Sequence, residues 1–216
     1  MKKYGFALLL LVCFSLMLFC AAQADIIINE VMASNGYYED GHAWDWVELY
    51  NNGDETVDLS GWGFTDSKKD LYKFTFPDGT RLKAGEYLTI WCTGEQNRTP
   101  GKNKTFYADF KISSAGEKLR LTDRIATEIQ VLELPGQYGC VSYGLPSDGG
   151  DYGFFENATR GKKNDAKAYT GQAAEPEIVT PAGFYEGSVT VEARGEDGAE
   201  LRYTTDGETP TKKSKL

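Results

Sequence analysis

Short runs of β-branched, aromatic and alternating apolar residues recur along the chain, and clusters of Gly, Asp, Asn and Pro separate them. This pattern is typical of an all-β sandwich or barrel. No segment after residue 24 has the period of an amphipathic helix. The runs predict nine strands, at residues 26–32, 46–50, 61–65, 72–76, 87–93, 106–108, 118–122, 128–132 and 139–143.

Alternation within a run predicts which side chains face the core. In the fifth predicted strand, Leu88, Ile90 and Cys92 fall on one face, while threonine and aromatic residues fall on the other. Because successive side chains of a strand point to opposite faces, we predict that these three face inward. Leu119 and Leu121 alternate in the same sense and are also predicted to face the core.

A change of composition divides the chain near its C-terminal end. Residues 165–175 are rich in small and polar residues, which indicates a surface linker. The following unit, residues 176–216, contains two predicted strands at 188–193 and 200–204, joined by a hairpin connection at 195–198. Because two strands bury little apolar surface, we expect an incomplete module that adds little to the stability of the sandwich.

The N-terminus has the pattern of a secretory signal. Lys2 and Lys3 precede an apolar run at 6–19, and Ala-Gln-Ala at 22–24 supplies the small residues of a cleavage site. We therefore predict a signal peptide over 1–24 and a secreted or cell-envelope location, with no further membrane span. The alternatives are a retained anchor, which would need about 20 consecutive apolar residues, and a lipid-modified cysteine.

The chain is acidic. Its formal net charge is −9, and this becomes −11 when Lys2 and Lys3 leave with the signal peptide. Nucleic-acid binding requires a basic stripe that neutralises phosphates, and no such stripe occurs in the sequence. The charge therefore disfavours a nucleic-acid partner.

Two of the four cysteines, Cys92 and Cys140, lie beyond the predicted signal peptide. In an oxidising compartment they could form one disulfide, which would close a loop of about 50 residues and stabilise the fold by a few kcal/mol. The alternative is two free thiols that pack as small apolar side chains. Their spacing does not match a zinc site.

Three ordered blocks carry a family resemblance. They are Ile-Asn-Glu-Val-Met-Ala-Ser-Asn at 28–35, Asp-Trp-Val-Glu-Leu-Tyr-Asn at 45–51 and Val-Asp-Leu-Ser-Gly-Trp at 57–62. The chain resembles the lamin-tail domain in its bacterial form over residues 25–164, which implies an immunoglobulin-like β-sandwich. At 158–161 it has Ala-Thr-Arg-Gly where Thr-Pro-Gly is usual, a departure that concerns only the closing turn. The resemblance implies structural roles for Asn29, Glu30, Asp45, Trp46, Glu48, Asn51 and Trp62.

The second unit carries a separate resemblance. Ile-Val-Thr-Pro at 178–181 and Tyr-Thr-Thr-Asp-Gly-Glu-Thr-Pro at 203–210 are similar to the start of the small β module at the C-terminus of chitobiases and hexosaminidases. In bacteria such a pair of modules often precedes a domain that resembles the spore-coat kinase-like protein CotH. The resemblance implies that any catalytic domain would lie beyond Leu216.

A loop at 36–43 and the residue after it supply candidate ligand contacts. Tyr37, Tyr38, His42 and Trp44 could present flat rings to a sugar or to an apolar patch of a partner. The alternative is an ordinary exposed loop without a ligand.

The titratable residues give little support to catalysis. His42 is the only histidine, which excludes a histidine dyad and a multi-histidine metal site. Two of the three acids Glu30, Asp45 and Glu48 could form a carboxylate pair that hydrolyses glycosides. Alternatively, these acids could satisfy backbone groups at strand ends. Their place in the family motifs favours the structural role. No nucleophile elbow, phosphate-binding loop or calcium-loop spacing occurs, so we predict no catalytic residue, no metal and no cofactor.

The hypothesis that follows is an exported, non-catalytic binding or spacing module that presents loops to a glycan, a cell-wall polymer or a protein partner. The alternative is the non-catalytic N-terminal part of a larger CotH-kinase-like or hydrolytic enzyme.

Overall fold

The structure is a computed structural model that describes residues 26–39, 41–95, 105–147, 149–208 and 210–216. The predicted signal peptide lies outside these residues. Within them every regular element is a strand, as the apolar pattern predicts. The strands are β1 (Ile26–Met32), β2 (Asp45–Asn51), β3 (Val57–Asp58), β4 (Gly63–Thr65), β5 (Phe74–Thr75), β6 (Arg81–Leu82), β7 (Tyr87–Cys92), β8 (Thr105–Ala108), β9 (Glu117–Thr122), β10 (Glu128–Leu134), β11 (Ser142–Gly144), β12 (Gly153–Phe155), β13 (Glu177–Ile178) and β14 (Ala193–Arg194).

Two main sheets build the sandwich. The first has six strands in the order β12-β11-β1-β2-β7-β8, and the second has four in the order β10-β9-β4-β5. All neighbours in these sheets are antiparallel except β7 and β8, which are parallel. The predicted immunoglobulin-like β-sandwich is thereby confirmed. The described part of the chain contains no helix long and apolar enough to cross a bilayer.

The core fills the space between the two sheets. Leu88, Ile90 and Cys92 of β7 are at most 1% exposed, and Leu119 and Leu121 of β9 are fully buried, so the predicted inward faces are confirmed. Burying one such leucine or isoleucine contributes about 1.5 to 3 kcal/mol. Because side chains alternate along each strand, the six-stranded sheet also presents an outer face on the side away from this core.

A β-bulge in β1 changes which residues reach that outer face. The pairing of β1 with β2 shifts register between Ile28 and Glu30, which leaves Asn29 without a partner in β2. Ile28 and Val31 therefore both join the core between the sheets. Glu30 and Met32 lie on the outer face instead.

Residues 157–164 cross this outer face, and we call them the crossing segment. Beneath them Met32, Trp46 and Trp91 form a second, smaller apolar cluster, against which Ala158 packs. The six-stranded sheet is thus covered on both sides, by the core on one and by this segment on the other.

The predicted hairpin of the second unit is wrong. β14 pairs with β13 rather than with 200–204, and Tyr203 forms an isolated bridge with Lys215. The predicted strand at 188–193 overlaps β14 at Ala193 alone, and residues 200–204 form no strand. Thr180, which follows β13, helps to hold β13 and β14 together, because its Oγ1 accepts a 2.7 Å hydrogen bond from the backbone N–H of Glu192, next to β14.

The second unit buries little surface. No described residue after Asn164 is buried, and Val189 and Val191 are 44% and 62% exposed. Two residues of the predicted linker contact the sandwich: Tyr169 pairs with Phe154, and Gln172 exchanges hydrogen bonds with Tyr138. The domain boundaries at 164, 175 and 176 stay a prediction.

The structure does not contain the possible disulfide between Cys92 and Cys140, since both are free thiols. Cys92 faces the core on β7, where burial raises the pKa of its thiol well above the ordinary value. Cys140 is half-buried in the turn before β11, where its Sγ accepts a 3.1 Å hydrogen bond from the backbone N–H of Gly36. The alternative of two free thiols is therefore the one that the structure adopts.

Candidate functional site

Two buried glutamates bind the middle of the crossing segment. Glu30 and Glu48 are partners across β1 and β2, and both are completely buried. Glu30 accepts hydrogen bonds from Ser142 Oγ (2.5 Å), from the backbone N–H of Thr159 (3.0 and 3.1 Å) and from Thr159 Oγ1 (3.1 Å). Glu48 accepts one from the backbone N–H of Gly161. The two carboxyl groups therefore hold the residues on either side of position 160.

Burial controls the protonation of this pair. Removal from water raises the pKa of Glu30, although hydrogen bonds from Ser142 and Thr159 oppose the rise. It raises the pKa of Glu48 to about 7, against hydrogen bonds from Gly161 and Asn29, and the neighbouring Glu30 adds to the rise. Both groups are thus easier to protonate than an exposed glutamate.

Two asparagines complete the attachment. Asn164 Nδ2 donates to the backbone carbonyls of Asn29 (3.1 Å) and Leu145 (2.9 Å). Asn29 Nδ2 donates to Glu48 Oε1 (2.8 Å), and Thr159 Oγ1 contacts Asn164 Oδ1 at 2.6 Å. These contacts satisfy the polar groups under the crossing segment and leave the two glutamates turned away from solvent.

Other residues of the family motifs also have structural contacts within the sandwich. Asn51 Nδ2 donates to the backbone carbonyls of Glu55 and Leu82, each at 2.8 Å, and so ties the end of β2 to neighbouring turns. Trp62 is partly buried against the core. Asp45 begins β2, where burial raises the pKa of its carboxyl to about 6.

A groove of about 520 Å³ opens beside the crossing segment, and we call it the aromatic groove. Tyr37 and Tyr38 on its rim are 60% and 79% exposed. The groove is lined by Met32, Asn35, Tyr37, Tyr38, Glu39, Trp46, Trp91, Asn157, Ala158 and Arg160.

Arg160 is the cation of this groove. Its guanidinium lies 4.3 Å from the ring centre of Trp91 and 5.8 Å from that of Trp46, within cation–π range. It also forms an ion pair with Glu39. Because the backbone N–H groups of Thr159 and Gly161, on either side of Arg160, donate hydrogen bonds to Glu30 and Glu48, the backbone position of Arg160 is fixed before any ligand arrives.

The predicted rim residues separate into two sets. Tyr37 and Tyr38 line the aromatic groove. His42 and Trp44 instead stack on each other at 3.9 Å, and Trp44 meets Trp91 edge-on at 6.3 Å. This pair packs next to the groove wall and does not line the groove.

Sequence reasoning missed several groove residues, above all Trp91, Asn157 and Arg160. They come from separate parts of the chain and share no local spacing that could reveal them. The sequence carries one signal, because Arg160 stands where the family resemblance leads us to expect proline.

A second groove of about 300 Å³ lies on the other side of the crossing segment, and we call it the tyrosine groove. The rings of Tyr50 and Tyr87 stack there with centres 4.6 Å apart. Its lining consists of Ile27, Asn29, Tyr50, Asn52, Tyr87, Leu145, Pro146, Ser147, Gly149, Lys163 and Asn164. No sequence pattern had indicated it.

Neither groove resembles a metal centre. No group of three His, Cys, Asp or Glu side chains among the described residues is placed to hold a metal ion. Among the described residues that line the grooves, Glu39 is the one carboxylate, and it is paired with Arg160. The arrangement offers aromatic faces, amides and two cations, which are groups that bind a ligand.

Comparison with known proteins identifies the two parts of the chain. A family model for the lamin tail domain matches residues 20–135, and a model for the chitobiase/beta-hexosaminidase C-terminal domain matches residues 180–216. A search of curated proteins found no match. Both resemblances drawn from the sequence are confirmed, whereas the association with CotH stays a prediction. Since the first match spans more than half of the 216 residues, this chain belongs to the lamin tail domain family.

Proposed function

We propose that the chain is an exported, non-catalytic binding module whose lamin tail domain holds a glycan in the aromatic groove. The observation that carries this proposal is the groove itself, in which two exposed tyrosines stand beside an arginine held over Trp91. Exposed aromatic rings grouped around one concave surface mark a place where a partner covers them.

The chemistry of the groove suits a sugar. A sugar ring has an apolar face of C–H groups that packs on an aromatic ring and a rim of hydroxyls that needs hydrogen-bond partners. Tyr37 and Tyr38 supply the rings. Asn157 is exposed at the groove and supplies an amide, and Arg160 has N–H donors beyond those used by Glu39.

The same geometry supports binding without cleavage. Glycoside hydrolysis uses two carboxyl groups placed on either side of the scissile bond. Glu30 and Glu48 are a pair of suitable type, but both are completely buried beneath the crossing segment and their oxygens accept hydrogen bonds from it. A ligand in the groove would not reach them.

Two observations favour a location outside the cytoplasm. The first is the signal-peptide pattern at residues 1–24. The second is the match at 180–216 to a domain named after chitobiase and β-hexosaminidase, which act on carbohydrates. A glycan on the cell surface or outside the cell is the ligand that agrees with both.

The test is binding of the mature chain, residues 25–216, to defined oligosaccharides. Tryptophan fluorescence and calorimetry would be measured against oligomers of N-acetylglucosamine, glucose and galacturonic acid. We expect one-to-one binding of at least one oligomer. The variants Tyr37→Ala and Tyr38→Ala should each weaken it by about fivefold, because an aromatic contact contributes about 1 kcal/mol.

Tyr203→Ala is the matched control, since Tyr203 is 48% exposed but lies in the second unit. It should bind as the wild type does. Loss of affinity in this control alone would move the site to the second unit. Absence of binding to the whole panel would favour a protein partner or another wall polymer and would overturn the glycan proposal.

The alternative, the non-catalytic part of a larger CotH-kinase-like or hydrolytic enzyme, is favoured by the match at 180–216. In that case the same groove would hold the enzyme on its glycan. Mass spectrometry of the native protein separates the two. The mass of residues 25–216 supports a stand-alone module, and a larger mass supports the enzyme.

A further inference from the structure

The two grooves lie on one face of the six-stranded sheet, on either side of the crossing segment. Trp46 and Trp91 lie at the aromatic groove, and Tyr50 and Tyr87 line the tyrosine groove. In both β2 and β7 the two aromatic residues are four positions apart, which is about 13 Å along a strand. An oligosaccharide of a few sugar units spans such a distance.

The crossing segment places positive charge between the grooves. Arg160 lines the aromatic groove, and Lys163 lines the tyrosine groove, with Lys162 exposed between them. The structure gives no ion pair to either lysine within the residues that it describes. In a chain of net charge −9 this row of cations is a local exception.

Local charges decide what such a surface attracts. At physiological ionic strength, exposed charges more than about 8 Å apart are largely screened, so distant acidic residues do not cancel this row, and Asp165, two positions after Lys163, offsets it only in part. The ion pair between Arg160 and Glu39 is partly exposed, and exposed pairs contribute little. An anionic ligand can therefore compete with Glu39 for the guanidinium.

We infer that the ligand is an acidic glycan, whose sugar units carry carboxylate or phosphate groups, and that it lies across the crossing segment with one ring in each groove. Arg160 would hold an anionic group through paired N–H donors, and Lys163 would act on a second one as a point charge. This inference rests on the proposed function, because it extends the ligand of the aromatic groove into the tyrosine groove.

The experiment measures binding of the full mature chain to three probes of equal length. They are a galacturonic acid oligomer, a glucose oligomer and a glucose oligomer that carries phosphate groups on its sugar units. We expect tighter binding of the two anionic probes than of the neutral one, with an affinity that falls as NaCl is raised. Comparison of the two anionic probes shows whether carboxylate or phosphate is preferred.

Lys163→Ala should weaken anionic binding by up to about fivefold and leave neutral binding unchanged. The control Lys118→Ala removes the same charge from β9 in the other sheet and should change neither. Equal binding of neutral and anionic probes, or wild-type affinity in Lys163→Ala, would overturn the inference but leave the glycan proposal standing. No binding of any of the three probes would overturn the inference, and it would overturn the glycan proposal as well if N-acetylglucosamine oligomers also failed to bind.

Discussion

Replacing Glu48 by glutamine should stabilise the protein at alkaline pH, although the residue belongs to a family motif. In the folded protein the pKa of Glu48 is about 7, whereas the ordinary value is 4.5. Between these two pH values the folded chain binds a proton that the unfolded chain has released. Stability is therefore lost as the pH rises through this window, by about 3 kcal/mol at about 1.4 kcal/mol per pH unit.

Glutamine carries no charge, so it avoids this loss. It also gives up one acceptor, because its amide nitrogen must face either Asn29 Nδ2 or the backbone N–H of Gly161, at a cost of about 1 kcal/mol. We therefore expect Glu48→Gln to match the wild type within about 0.5 kcal/mol at pH 5, where the wild type has already lost about 0.8 kcal/mol of this stability, and to be about 2 kcal/mol more stable than the wild type at pH 8.

Urea unfolding of both proteins at pH 5 and pH 8 measures these differences. Glu30 and Asp45, whose pKa values are also raised by burial, are present in both proteins, so the difference between the two proteins reports Glu48 together with its coupling to Glu30. The exposed Glu133 on β10 supplies the control Glu133→Gln, which should follow the wild type at both pH values. The reasoning is refuted if Glu48→Gln is no more stable than the wild type at pH 8.

The other predictions concern the attachment of the segment, the thiols, the second unit and export. Thr159→Ala should lower the free energy of unfolding by about 1 to 2 kcal/mol in urea titrations, because it removes the hydroxyl that contacts Glu30 and Asn164. Thr159→Ser keeps the hydroxyl and should lower it less. Equal losses in the two variants would contradict the hydrogen-bond account. A thiol reagent should label Cys140 in the native protein and Cys92 only after unfolding, giving one adduct by mass spectrometry, and two native adducts would be inconsistent with a buried Cys92. Deleting 176–216 should shift the thermal midpoint by no more than a few degrees, since that unit buries no described residue; a larger fall would show that it packs on the sandwich. N-terminal sequencing of secreted protein should begin at Asp25, and a sequence beginning at the initiator methionine would disprove cleavage.

The longer strands were predictable because their apolar pattern is local. β1 matches its predicted bounds, and β7 does so within one residue, since a run of six or seven mostly apolar residues defines each element. In β7 the alternation also defines the buried face. Two-residue strands such as β3 and β6 are too short to show any period. The second-unit hairpin failed because alternation does not specify a partner strand.

The site was predictable only in part. The loop with Tyr37 and Tyr38 stood out by composition, but the opposite wall, with Arg160, comes from a segment that packs there through distant contacts. Simple alternation would place residue 30 of β1 on the same face as Ile28, but the bulge turns Glu30 to the opposite face. Only pairing with β2 shows that Glu30 faces the crossing segment.

The crossing segment lies far along the chain from Glu30, to which it binds, and this separation has a consequence for synthesis. Thr159 bonds to a residue 129 positions earlier, so the last wall of the aromatic groove closes after nearly the whole sandwich has left the ribosome. Contacts of such long range are formed late in folding, because the intervening chain must first be ordered. A chain released before position 164 could assemble both sheets and still have no groove. Ligand binding would then report that translation had passed the crossing segment.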